Sequence, residues 1–292
     1  MSSLGAAGVA AETMQELQRR GRAPRRQRIT TGQWLLPLYV VLAFVFLLTP
    51  IVNVILFSFN DSRRNNAQWQ GWTFDHWLDV CSVQNGAVCT AFGTSVVIGL
   101  TATVIATVLG TLMAIALGRY RFRGRTPVNL LLFLPMASPE VVLGVGLAAE
   151  FLSVRFDFGF WTIVIAHVLF CLSFVVVTVK ARVAALDPAL EEAGRDLYGS
   201  SVQVFFRITL PLLLPGIVAA ALLSFSLSFD DFITTRFNAG AVETFPLWIY
   251  TVKSVPAEAN VVATFVFALA IVAVVVVQIV NARRRRRLGR AA

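Results

Sequence analysis

The sequence predicts an all-α integral membrane protein of six spanning helices with both termini in the cytoplasm. Three observations carry this expectation. Of 292 residues, 57% are hydrophobic and only 14% charged, with a mean hydropathy of +0.73, whereas soluble domains are about one-quarter charged. Six largely apolar runs, at 34–59, 91–117, 127–151, 160–180, 210–232 and 258–280, are each long enough for a hydrocarbon core of about 30 Å. None alternates with the period of two that a barrel strand requires. Finally, the segments 19–28, 119–125, 180–207 and 283–290 hold twenty of the 25 Lys and Arg residues, leaving Arg63, Arg64, Arg155, Arg236 and Lys253 opposite. Such asymmetry orients a membrane protein with its basic loops inside.

The net charge of +9 is therefore read as topology, and no nucleic-acid partner is expected. Anionic lipid headgroups are the expected contact of the Arg283–Arg287 run. The expected organisation is a basic cytoplasmic tail over 1–32 and a transmembrane domain over 33–281. The domain has a core at 90–281 and a cytoplasmic loop at 183–211, and a basic C-terminus follows over 282–292. The first apolar run is too long for a signal-peptide core and lacks a small-x-small cleavage pattern, so it is expected to remain as an anchor.

Taken in order, the first span contains Pro37 and Pro50, tolerable near helix ends or as kinks. An external loop over 60–90 follows, with Trp69, Trp72 and Trp77 suited to the headgroup boundary and a short helix expected near 74–80. Cys81 and Cys89 fall in this loop, on the oxidising side. They are candidates for a disulfide, the alternative being two free thiols. Cys171 is a packed hydrophobe within the fourth span. The third span is interrupted by Pro135, Pro139, Gly144 and Gly146, and such backbone is tolerated only where it is buried in protein or lines a cavity. The stretch 233–257 reads as a last external loop with an apolar patch at Phe245–Tyr250.

Between the fourth and fifth runs lies a polar loop carrying Asp187, Glu191, Glu192 and Asp196 among basic residues. Asp187-Pro188 reads as an N-cap with proline at the first helical position, followed by acids that suit the helix dipole. Gly199 is the expected stop. A second short helix should then lead through Ile208-Thr209-Leu210-Pro211 into the fifth span. A rigid lever tied to two spans suits a transporter that receives force from a soluble partner.

At these residues the chain resembles a known family. Glu192-Ala193-Gly194, followed at the expected interval by Ile208-Thr209-Leu210-Pro211, is similar to the "EAA" loop of the inner-membrane permease subunits of binding-protein-dependent ABC importers. Pro139-Glu140-Val-Val, Ala166-His167-Val-Leu-Phe-Cys171 and Ser228-Phe-Asp230-Asp231-Phe resemble the spermidine/putrescine branch. The resemblance covers residues 30–280. It implies the type I ABC importer permease fold and a loop that docks on an ATPase through Glu191, Glu192, Ala193, Gly194, Asp196, Tyr198, Gly199, Ile208, Leu210 and Pro211. It also implies a second homologous permease, two ATPase subunits and an external polyamine-binding protein as partners, in a bacterial inner membrane. Two departures stand out: the family's second alanine is Gly194, and its glycine is Tyr198.

The chain lacks a G-x-x-x-x-G-K-[ST] phosphate loop, so no cofactor is expected here, and ATP and Mg belong to the partner ATPase. HExxH and G-x-S-x-G are absent too, so no enzymatic activity is expected. No metal site is expected either. Intramembrane carboxylates default to functional candidates, because each costs about 2.5–3.5 kcal/mol to insert. Glu140 is placed near mid-depth, with Glu150, Asp230 and Asp231 nearer the outer face. Such an acidic lining suits a substrate with several amines. The alternatives are that the Asp pair caps its helix, that Glu140 bonds backbone freed by the prolines, and that His167 is a packing residue. Another organic cation, an aminophosphonate or a metal chelate remain alternative cargoes. A stand-alone secondary transporter is the alternative mechanism.

Overall fold

The computed structural model describes residues 32–62, 68–82, 86–252 and 256–288, without the side chains of 32–34, 273, 274, 276, 277 and 280–288. The basic N-terminal tail, Arg63, Arg64, Lys253, and the side chains of the C-terminal arginine run lie outside that description. The described residues form helices and one isolated antiparallel bridge, Asn60 to Trp72. Lipid offers no partner for backbone polar groups, so even the Val- and Ile-rich runs close their hydrogen bonds internally as helices.

The chain divides into two units, residues 1–54 and 55–292. The first carries most of α1 (Gly32–Phe57), whose Pro37 and Pro50 both fall within the helix. None of its described side chains from Leu35 to Val54 is buried.

The second unit continues from the end of α1 into the loop that follows it. The Asn60 side chain fastens it, donating to the Gln68 carbonyl at 2.9 Å and accepting from the Gln70 N–H at 2.7 Å. The expected short helix is α2 (Asp75–Leu78). Cys81 and Cys89 are joined as a disulfide, with Cα atoms 5.6 Å apart.

Three long helices make the core: α3 (Gly86–Arg119), α6 (Phe160–Ala184) and the span running from Ser201 to Phe229, all packed on one another. α6 is the most enclosed. Packing of apolar helices in lipid depends on close approach rather than on escape from water. Gly110 shows this: a Cβ there would lie 2.6 Å from Val175 Cγ1 and 2.9 Å from Val175 Cβ. Cys171 is fully buried in this core.

The third apolar run is two helices, α4 (Arg125–Ala137) and α5 (Glu140–Ser153), bent by 108°. Ser138 precedes a proline and takes an extended ψ of 140°, because the ring of Pro139 disfavours helical backbone before it. A depth for Glu140 counted along one straight helix therefore does not apply. Four described helices are long and apolar enough to cross a membrane, five if the bent pair counts as one span. The sixth run falls in α12 (Ala257–Leu288), whose described apolar stretch is Ala257–Val272.

The stretch expected as a last loop contains two short helices, α10 (Ile233–Asn238) and α11 (Phe245–Thr251). α10 packs on α5 and α6, and α11 on α3. Gly144 lets α10 approach, since a Cβ there would lie 3.2 Å from Thr234 Cα. The buried Asn238 amide donates to the Gly144 carbonyl at 3.2 Å.

Candidate functional site

The polar loop folds as a lever. Its first helix is α7 (Ala189–Asp196), one position later than expected, with Pro188 at the cap. Asp187 still caps it, accepting the Ala189 N–H at 3.0 Å, while Glu191 and Glu192 occupy the first turn, where the dipole favours anions.

The stop differs from expectation. Tyr198, not Gly199, carries the left-handed backbone, with φ of +60°. The Tyr198 N–H donates to the Arg195 carbonyl at 2.9 Å and the Gly199 N–H to the Gly194 carbonyl at 3.2 Å. This pair of bonds is the Schellman closure, in which a left-handed residue after the cap is usually glycine. Gly199 serves a different purpose: a Cβ there would lie 2.6 Å from the Gly194 carbonyl oxygen. The Tyr198 side chain is 99% exposed and that of Leu197 83%.

Next comes α8 (Ser201–Val204), opened by a reciprocal capping box. The Ser200 hydroxyl accepts from the Gln203 N–H at 3.3 Å, and the Gln203 side-chain oxygen accepts from the Ser200 N–H at 3.0 Å. A π-turn, Phe205–Thr209, links it without interruption to α9 (Leu210–Phe229). One helix thus runs from Ser201 into the fifth apolar run, starting nine residues before it. Pro211 has no N–H to offer the helix, so the hydrogen-bond ladder must open near here. Gly194 seats α7 on this segment, where a Cβ would meet Ile208 Cδ1 at 2.6 Å. Glu192, Ala193 and Asp196 are exposed.

Glu191 ties the lever inward. Its Oε1 accepts from Arg119 Nη2 at 3.1 Å and from the Thr209 hydroxyl at 3.2 Å. Arg119, read from sequence only as an orienting charge, thereby becomes part of the site. Nothing local signals a pairing across 72 positions.

The candidate pathway carboxylates differ in their surroundings. Glu140 is the first residue of α5 and Glu150 lies in its last turn, both exposed, and Asp230 is the exposed C-cap of α9. Among the described residues, no side-chain hydrogen bond or ion pair engages these three. Asp231 is only 9% exposed. Its Oδ1 accepts from the Thr235 N–H at 2.7 Å and the Thr235 hydroxyl at 2.9 Å, and lies 3.5 Å from His167 Nε2. The other ring nitrogen, Nδ1, is 2.7 Å from the Ser228 hydroxyl, while Nε2 is 2.9 Å from Thr235 Oγ1. His167 is thus a buried tie between α6, the end of α9 and α10. No group of three or more metal-ligating side chains occurs among the described residues.

A multi-pass helical membrane protein with a structured lever between two core helices is the class that this architecture defines. Residues 106–289 match the family described as binding-protein-dependent transport system inner membrane component. The spermidine/putrescine transport system permease protein PotC of Haemophilus influenzae is 38% identical over 84% of this chain and 94% of its own length. PotC of Escherichia coli K12 is 36% identical over 83% and 92%. The putrescine transport system permease protein PotI of the same strain is 33% identical over 78% and 83%. Among solved structures, a bacterial ABC transporter involved in import of the acidic polysaccharide alginate superposes with a TM-score of 0.61 at 16% identity, over 89% of this chain and 99% of that one. An amino acid ABC transporter gives 0.54 at 12% identity, over 73% and 100%. These two likenesses concern the fold.

The chain belongs to the binding-protein-dependent transport system inner membrane component family.

Proposed function

We propose that this chain is one permease subunit of an ATP-driven importer that carries polyamines, spermidine or putrescine, across a bacterial cytoplasmic membrane. The observation that carries the reading is the lever: α7, α8 and the π-turn form a capped unit continuous with the fifth span. A displacement of α7 would therefore move a spanning helix. Similarity to three polyamine permeases over more than three-quarters of the chain supports the cargo.

In this reading six spans, with both termini cytoplasmic, pair with a second homologous permease. Of two ATPase subunits that bind ATP and Mg, one docks on 187–211 of this chain, and an external binding protein delivers substrate. The carboxylates Glu140, Glu150 and Asp230, which engage no side chain among the described residues, are available to ammonium groups, whereas Asp231 already accepts two bonds from Thr235.

The test is uptake of labelled spermidine into proteoliposomes holding the complete complex. Glu140→Gln and Asp230→Asn, both exposed, should lower uptake at limiting substrate. Unchanged uptake removes them from the pathway, and uptake that persists without any ATPase subunit favours a secondary transporter.

A further inference from the structure

We infer that Arg119 and Thr209, joined through the Glu191 carboxylate, are positioning residues that transmit displacement of α7 to two spans at once. The inference rests on the reading of 187–211 as the loop that receives the ATPase stroke. One oxygen, Glu191 Oε1, holds the last residue of α3 at 3.1 Å and the final residue of the π-turn at 3.2 Å. α7 is thus pinned to the second span and to the root of the fifth by a single atom. Both charged side chains are about four-fifths withdrawn from solvent, with exposures of 19% for Arg119 and 20% for Glu191. Water therefore screens the pair much less than it would a surface pair.

The geometry is that of a movable contact rather than a rigid clamp. Among the described residues, Arg119 meets the carboxylate through Nη2 alone, and its buried Nε–H finds no hydrogen-bond partner. A two-pronged guanidinium–carboxylate contact is the stronger arrangement, and it would become available if Glu191 shifted toward Nε. Space for that shift exists. A cavity of about 360 Å³ lies beside the node, lined by Arg119, Glu191, Thr209, Ser201, Phe205 and Leu213 among others. The Arg119–Glu191 contact can therefore tighten as α7 is displaced, while the node and the packing of Gly194 on Ile208 keep the three elements in register.

The experiment compares wild type, Arg119→Gln, Thr209→Val and the exchanged pair Arg119→Glu with Glu191→Arg in the reconstituted complete complex. Three quantities are read: ATPase subunit co-purified, ATP hydrolysed, and spermidine imported per ATP. In Arg119→Gln the ATPase should stay bound while import per ATP falls by about fivefold or more, as expected for losing a partly buried charge-assisted link. The exchanged pair should recover part of that loss, and Thr209→Val should show a smaller one. An unchanged import-to-hydrolysis ratio in Arg119→Gln overturns the inference. So does loss of the co-purified ATPase in that variant, which would make Arg119 a docking or folding residue. Failure of the underlying reading looks different: the wild-type chain itself would retain no ATPase.

Discussion

The Gly199 N–H donates to the Gly194 carbonyl at 3.2 Å, closing the lever helix over Tyr198, which is held at φ +60°. A side chain in left-handed backbone costs about 1–2 kcal/mol relative to right-handed backbone, and glycine escapes that cost while giving up some chain entropy. Tyr198→Gly should therefore stabilise the loop by about 1 kcal/mol, detectable as a higher melting temperature of the purified chain. The same change removes a 99% exposed aromatic side chain. If Tyr198 contacts the ATPase, co-purification should weaken as stability rises. Two changes of the same sign would leave the tyrosine without a docking role.

The buried tie through His167 predicts a large effect. His167→Leu strands the buried Ser228 hydroxyl and removes the ring 3.5 Å from the Asp231 carboxylate, which keeps its two bonds from Thr235. Leaving a buried polar group without its partner costs about 1–3 kcal/mol, and the carboxylate loses a neighbour besides. Ser228→Ala deletes only a hydroxyl and should cost about 1 kcal/mol. Thermal unfolding in detergent ranks the two, and equal losses would contradict the network.

Helix contact at Gly110 yields a paired prediction. Gly110→Ala places a methyl 2.6 Å from Val175 Cγ1, an overpacking worth about 1–3 kcal/mol. Val175→Ala in the same chain removes the Cγ1 clash and should return part of it, the Val175 Cβ at 2.9 Å remaining. An additive double mutant would mean that α3 and α6 do not meet here.

The joined Cys81 and Cys89 predict a thiol count. With Cys171 buried and free, alkylation after denaturation should modify one cysteine per chain before reduction and three after it, read by intact mass. Three before reduction would show the outer pair to be open.

Hydropathy made most of the helices legible, since lipid leaves an apolar backbone no other closed arrangement. The bend before Glu140 was announced by Pro139, and the start of α7 by Asp187-Pro188. What escaped reading depends on distance or on phase. The Arg119–Glu191 and His167–Asp231 pairs join residues far apart in sequence, and no local pattern encodes them. The helix carrying the fifth apolar run starts nine residues before the run itself, because Gln203 and Arg207 interrupt the hydropathy while the backbone continues through them. Gly199 drew the helix stop to itself because left-handed backbone is ordinarily glycine's. The structure puts that strain on Tyr198 and uses Gly199 for close approach.

The π-turn at Phe205–Thr209 sets the rotational phase between lever and span. The Leu210 N–H reaches back to the Phe205 carbonyl, one residue further than in an α-helix. Each residue advances an α-helix by about 100°. Deleting one position in this turn would let it collapse to α geometry, which absorbs the lost residue and leaves α7 facing nearly as before. Deleting one position from the regular α-helix that follows has no such reserve, and would swing α7 around the axis of the fifth span by about 100°. Length is therefore forgiving within the turn and strict beyond it.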